Sequence, residues 1–147
     1  MSKRSTKKLA SLLEEGVPSD VRLRTKDFVS SGAVPFNLAM TGTTKRGYGK
    51  GSYTLLIGDS HAGKTILALT ALAEAANNPE FDDYELVYDA TTEDGAQMDI
   101  AKMFGSKLAS RLKIVRSATA EEFYYNLDNY LKRGSVFYVC DSENGLD

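Results

Sequence analysis

With one cysteine in 147 residues, the chain can form no internal disulfide and no cysteine-based metal cluster. That thiol, Cys140, closes the apolar run Val136-Phe137-Tyr138-Val139, which predicts a buried and inert position. Long hydrophobic runs are also missing. No stretch approaches the ~20 apolar residues that a bilayer-spanning helix needs, so no membrane partner is expected. The basic N-terminus lacks the apolar core of a signal peptide, which makes the cytoplasm the expected location. Charge of one sign is absent too. A net charge of −2 excludes the chain as a whole from electrostatic nucleic-acid binding, and any DNA contact has to come from a local patch. One basic cluster exists, Lys3, Arg4, Lys7 and Lys8, which a solvated helix face explains equally well. There are no internal repeats and no low-complexity tract. What remains is ordinary: 42% hydrophobic and 26% charged residues in a length that suits one globular domain.

The most informative segment is Gly58-Asp59-Ser60-His61-Ala62-Gly63-Lys64-Thr65, a full match to GxxxxGK[ST]. Its context is the one the motif requires. The apolar run Tyr53-Thr54-Leu55-Leu56-Ile57 reads as a buried strand, and Ile66, Leu69, Leu72, Ala73 and Ala76 follow at helical spacing. Gly58 and Gly63 permit backbone turns that aim consecutive N–H groups at phosphate oxygens. The helix that follows adds its unpaired N–H groups and positive dipole end. Lys64 supplies an ammonium for the β- and γ-phosphates, and the Thr65 hydroxyl can ligate Mg²⁺. The expected ligand is therefore a nucleoside triphosphate held by residues 58–66. Asp59 and His61 occupy variable positions. A carboxylate aimed at phosphates would repel them, so Asp59 is expected to face solvent, and His61 to lie on the loop surface rather than carry protons.

Along the chain, residues 5–15 read as a short amphipathic helix with Leu9, Leu12 and Leu13 on one stripe, ended by Gly16 and Pro18. Residues 17–35 look irregular, with an extended piece near Val21 and Leu23, and 36–42 suggest a helical turn. A glycine-rich stretch leads to a strand at 52–57, and the helix after the motif runs to about Asn77. Further strands are expected at 85–90, 112–115 and 136–140. A helix spans about 95–110, and another follows Thr119, whose T-x-x-E spacing to Glu122 forms a capping box. In that second helix Phe123, Leu127, Tyr130 and Leu131 form the apolar stripe and Gly134 closes it. Strands alternating with helices imply an α/β fold with a mostly parallel sheet covered on both faces. The expected organisation is an N-terminal helix and extended arm over 1–35, then a core over 36–147.

Val136 to Asp141 is an apolar strand ending in a carboxylate. P-loop enzymes use such an aspartate to hold the Mg²⁺ water shell, and parallel strands open their carboxyl ends onto the ligand crevice. Asp141 is therefore the expected second metal-site residue beside Thr65. Hydrolysis also needs a group that orients and deprotonates water. Glu93, at the same sheet edge as the P-loop, and Glu143 compete for that role, with Glu93 preferred.

Several blocks resemble RecA-type recombinases, most closely the phage UvsX-like subgroup. They are Ser30 to Gly42 ahead of the P-loop, Arg24-Thr25-Lys26, Gly49-Lys50-Gly51-Ser52 entering the P-loop strand, Tyr88-Asp89-Ala90 leading to an acid, and Phe137 to Ser142. The resemblance spans about residues 20–147, and only the P-loop is specific on its own. It implies a RecA-like P-loop NTPase that binds ATP and Mg²⁺ between protomers of a filament on single-stranded DNA. Lys64 and Thr65 go to phosphate and Mg²⁺, Asp141 to the Mg²⁺ shell, and Glu93 to the catalytic base. Thr91-Thr92 intervene before that acid, which amounts to a two-residue insertion, and Ile100 stands where the family often stacks an aromatic on adenine.

In that family a later strand lies between the P-loop strand and the Asp141 strand, and the DNA-holding segments come later still. The chain reaches only Asp147. The expectation is a partial core, a piece of a recombinase, whose P-loop strand must pair directly with the Asp141 strand or leave backbone groups unpaired. The function expected is ATP binding and DNA-dependent ATP hydrolysis in DNA recombination and repair. Two alternatives stand beside it: a RecA-fold helicase-type motor subunit, and a non-catalytic partner that joins or inhibits a full-length recombinase filament.

Overall fold

Proline and glycine punctuate the first described elements. The computed structural model describes residues 25–91 and 98–142. The expected helix at 5–15, the basic cluster, Glu93 and Glu143 lie outside them. After a 3₁₀ turn at Thr25–Asp27 comes a two-residue strand, Phe28–Val29 (β1). Helix α1, Val34–Thr41, begins with Pro35 in its first turn and stops at Gly42, whose φ of 69° lets its N–H reach the Leu38 carbonyl. It is a full two-turn helix where only a turn was expected. Tyr48–Gly49 (β2) then pairs antiparallel with β1.

Helix α2, Lys64–Asn77, follows the glycine motif, and Asn78-Pro79 ends it in a 3₁₀ turn at Pro79–Phe81. Strand β3, Glu85–Ala90, has five of its six residues buried. The helix expected over about 95–110 is two short helices, Ile100–Phe104 (α3) and Ser106–Arg111 (α4), separated at Gly105, where φ is 94°. That angle is open to glycine and interrupts the helical run. Strand β4, Leu112–Val115, helix α5, Ala120–Arg133, and strand β5, Val136–Asp141, complete the described chain.

The three longer strands form a parallel sheet in the order β4-β3-β5, with Leu86 opposite Leu112 and Ala90 opposite Asp141. The molecule is thus an α/β fold whose parallel sheet is flanked by helices. On one face Leu69, Leu72, Ala75 and Ala76 of α2 pack with Leu86, Tyr88 and Ala90 of β3, together with Leu108, Phe81 and Val29. The four fully buried leucines contribute roughly 1.5–3 kcal/mol each relative to exposure. The Arg111 guanidinium knits this layer by donating to the carbonyls of Ala76, Phe81 and Tyr84 at 3.2, 2.6 and 3.2 Å. Val29 belongs to this core and Tyr48 packs against it, so the β1–β2 pair joins it.

The opposite face is thinner. Helix α5 reaches the sheet through Phe123 and Tyr130, whose rings both lie 5.9 Å edge-on from Tyr138. Its N-cap forms, with Thr119 Oγ1 accepting from Glu122 N, while Glu122 Oε2 accepts from Ala118 N, one residue before the cap rather than from the cap itself. Leu131, expected on the buried stripe, is exposed, and Cys140 is half-buried rather than fully enclosed.

The main correction concerns residues 52–57. They form no strand, and Tyr53, Leu55 and Ile57 are 77%, 54% and 88% exposed. An apolar alternation specifies a strand only when a neighbour offers its backbone groups. Among the described residues neither sheet places one beside this segment, and the outer edge of β5 carries no strand either. Of the two outcomes expected for it, direct pairing with the Asp141 strand does not occur. The segment's backbone stays in solvent, which avoids the cost of burying unpaired N–H and C=O groups.

Candidate nucleotide site

The glycine motif forms an exposed loop that turns into α2 at Gly63, whose φ of 86° is left-handed. Glycine there has no Cβ to strain and no side chain to cap the helix. The N–H groups of the first turn of α2, Lys64 to Ile66, are therefore left without intrahelical acceptors, the arrangement that receives anions. Within the loop Ala62 N donates to Asp59 O at 3.2 Å, and His61 takes a positive φ of 63°. Asp59 and His61 are both exposed. Lys64 folds back over the loop, its Nζ donating to Gly58 O and Asp59 O at 2.9 Å each. The ammonium is satisfied by two neutral carbonyls, acceptors that a phosphate oxygen would outcompete through charge. Ile66, in the same turn, is 40% exposed. Beside the loop opens a pocket of ≈ 570 Å³ lined by Ile57, Gly58, Gly63, Lys64, Phe36 and Thr70.

The decisive contact joins the motif to the acid expected beside it. Thr65 Oγ1 donates to Asp141 Oδ2 at 2.6 Å, across 76 residues of sequence. Asp141 is 7% exposed at the carboxyl end of β5. The folding reason is the parallel register. Leu69 and Leu72 anchor α2 over β3, and β3 and β5 end together at Ala90 and Asp141. The first turn of α2 therefore meets the sheet's carboxyl edge. Thr91 closes that edge, its N–H donating to Asp141 O at 3.0 Å while its hydroxyl accepts from Ser142 N at 2.8 Å.

No protein-family model, curated protein or solved structure matches the chain.

The site contains residues the motifs did not reveal. Tyr88 Oη donates to the same Asp141 Oδ2 at 2.8 Å from a fully buried ring. Asp89, its neighbour on β3, points to the other face and is fully buried there. It accepts from Ser117 N at 2.8 Å, Ser117 Oγ at 2.6 Å and Tyr138 Oη at 2.5 Å. Burial first, and then the bond to Asp89, push the Tyr138 phenol well above the usual tyrosine range. Further from the site, Asn37 is a fully used buried amide. Its Oδ1 accepts from Ser31 N and Oγ, and its Nδ2 donates to Ser30 Oγ and Thr44 O, all within 2.7–3.1 Å. Gly47 passes so close that a Cβ would lie 2.6 Å from Asn37 Oδ1. The sequence offered one signal for these groups, the alternation of β3, which places Tyr88 and Asp89 on opposite faces. Which partners they meet depends on strands and helices distant in sequence.

Proposed function

We propose that this chain is the ATP-binding core of a RecA-like P-loop NTPase, a DNA-dependent ATPase of the strand-exchange type. The observation that carries the reading is the 2.6 Å bond between Thr65 and Asp141. It puts a hydroxyl beside a carboxylate at the N-terminal end of a helix, with Lys64 and the glycine loop alongside.

These residues fit a magnesium nucleotide. Mg²⁺ keeps several waters and takes few protein ligands, so one hydroxyl with one carboxylate nearby suits it. Among the described residues no group of three or more His, Cys, Asp or Glu is placed to hold a metal, and this donor set does not call for one. Thr65 would hold the ion and Asp141 its water shell, while residues 58–66 would hold the phosphates. When bound, Mg²⁺ would neutralise phosphate charge and polarise the γ-phosphoryl group. Lys64 would exchange its two loop carbonyls for phosphate oxygens. Glu93 remains the proposed base. Single-stranded DNA and neighbouring protomers are the partners this reading implies.

A second reading, a non-catalytic chain that joins a full-length recombinase filament, is favoured by the exposed apolar segment at 53–57 and the open edge of β5. Nucleotide binding tests the first. Lys64→Ala removes charge-assisted bonds worth about 1.5–3 kcal/mol, so affinity for Mg²⁺-ATP is expected to fall about ten- to a hundredfold by calorimetry. Equal affinity in both proteins would overturn the P-loop reading. Hydrolysis with and without single-stranded DNA, and with intact recombinase added, separates an independent ATPase from a filament partner.

A further inference from the structure

We infer that Tyr88 is a positioning residue for the metal side of the nucleotide site, acting through Asp141. The inference rests on the nucleotide reading above and adds to it a residue outside the P-loop and its paired aspartate.

Two donors converge on one oxygen. Asp141 Oδ2 accepts from Thr65 Oγ1 at 2.6 Å and from Tyr88 Oη at 2.8 Å, and among the described residues no donor reaches Oδ1. A carboxylate held by one hydrogen bond can still rotate about its Cβ–Cγ bond. Two donors from different elements, one on α2 and one on β3, remove that freedom and leave Oδ1 as the oxygen available to a metal's water shell. The two donors differ in rigidity. Thr65 sits in the first turn of α2, beside an exposed loop, and its own oxygen is the expected metal ligand. Tyr88 is fully buried in the core with Leu69, Leu72 and Leu86, so its hydroxyl is fixed by packing. Register explains its reach. Ala90 is opposite Asp141, and Tyr88 is two residues back on β3, on the same face and at the distance a phenol spans.

Outer partners that orient a ligating group typically change metal affinity by about 10–100-fold when removed. The test measures binding of a fluorescent ATP analogue against Mg²⁺ concentration, and separately in EDTA, for the wild-type chain, Tyr88→Phe and Tyr138→Phe. Tyr88→Phe is expected to raise the Mg²⁺ midpoint about tenfold or more, with binding in EDTA unchanged. Tyr138→Phe removes a hydroxyl from the opposite face of the same sheet, so it reports general destabilisation and is expected to leave the midpoint in place. An unshifted midpoint in folded Tyr88→Phe, with wild-type binding still Mg²⁺-dependent, overturns the inference and spares the nucleotide site. Wild-type protein that binds no nucleotide overturns both. A measurement on the wild-type chain covers poor folding of the variant. With ¹³Cζ-labelled tyrosine, the Tyr88 resonance is expected to move on adding Mg²⁺-nucleotide but not nucleotide in EDTA, and no difference between the two overturns the inference.

Discussion

At the scale of single residues, buried polar groups hold this fold in place more specifically than its apolar ones. Leu69 or Leu86 could exchange with another aliphatic side chain of similar volume at modest cost. Asn37 could not, because its amide satisfies two donors and two acceptors on two separate segments, Ser30-Ser31 and Thr44. Asn37→Ala leaves the buried Ser31 N–H without an acceptor, and a loss of about 1–3 kcal/mol is expected in urea unfolding. The Thr65–Asp141 pair belongs to the same scale: the sequence nominated both residues for one site, and the fold supplied the contact between them. Asn37, Tyr88 and Asp89 were not legible in advance. Nothing in a linear sequence distinguishes a polar residue that will be solvated from one that will be enclosed by elements formed elsewhere.

At the scale of elements, regions with a local signal were read closely. The N-cap at Thr119, the Asn-Asn-Pro stop after α2, and the strands at 85–90 and 112–115 all rest on neighbouring residues and appear where expected. Two readings failed for lack of such a signal. Gly105 divides what looked like one helix, since its effect depends on a φ that an isolated glycine does not announce. The segment at 52–57 has the composition of a strand and, among the described residues, no strand beside it. That difference predicts a gradient in amide exchange. The amides of Leu55, Leu56 and Ile57 are expected to exchange close to unprotected rates, while those of Leu86, Val87 and Tyr88 exchange slowest in the molecule. Mass spectrometry of deuterium uptake checks this directly, and slow exchange at 55–57 would mean the segment is paired in solution.

At the scale of the whole molecule, the two faces of the sheet are unequal, and a partly buried phenol on each carries a pH dependence. Burial raises the phenols of Tyr48 and Tyr138 above their ordinary value of 10.0, in Tyr138 with help from Asp89. A raised acid is neutral in the fold and more readily ionised when unfolded. The stability these groups contribute is therefore complete below about pH 10 and is lost as pH rises beyond it. Urea midpoints measured from pH 7 to 11 are expected to fall on the alkaline side. Tyr138→Phe is expected to flatten that fall while lowering stability at pH 7, since it also removes a donor from buried Asp89.

What the sequence determined by itself is local and periodic: a glycine-bounded GxxxxGK[ST] loop opening a helix, three strands and two long helices with their ends, and a carboxylate at the last strand's end. These follow from backbone propensity, capping and turn chemistry, which act within a few residues. The tertiary structure alone decided that Thr65 reaches Asp141, that Tyr88 shares the same oxygen, and that residues 52–57 stay outside the sheet. Each of these depends on a partner many residues away being present in register, and strand pairing and buried hydrogen bonds exist only between two such groups.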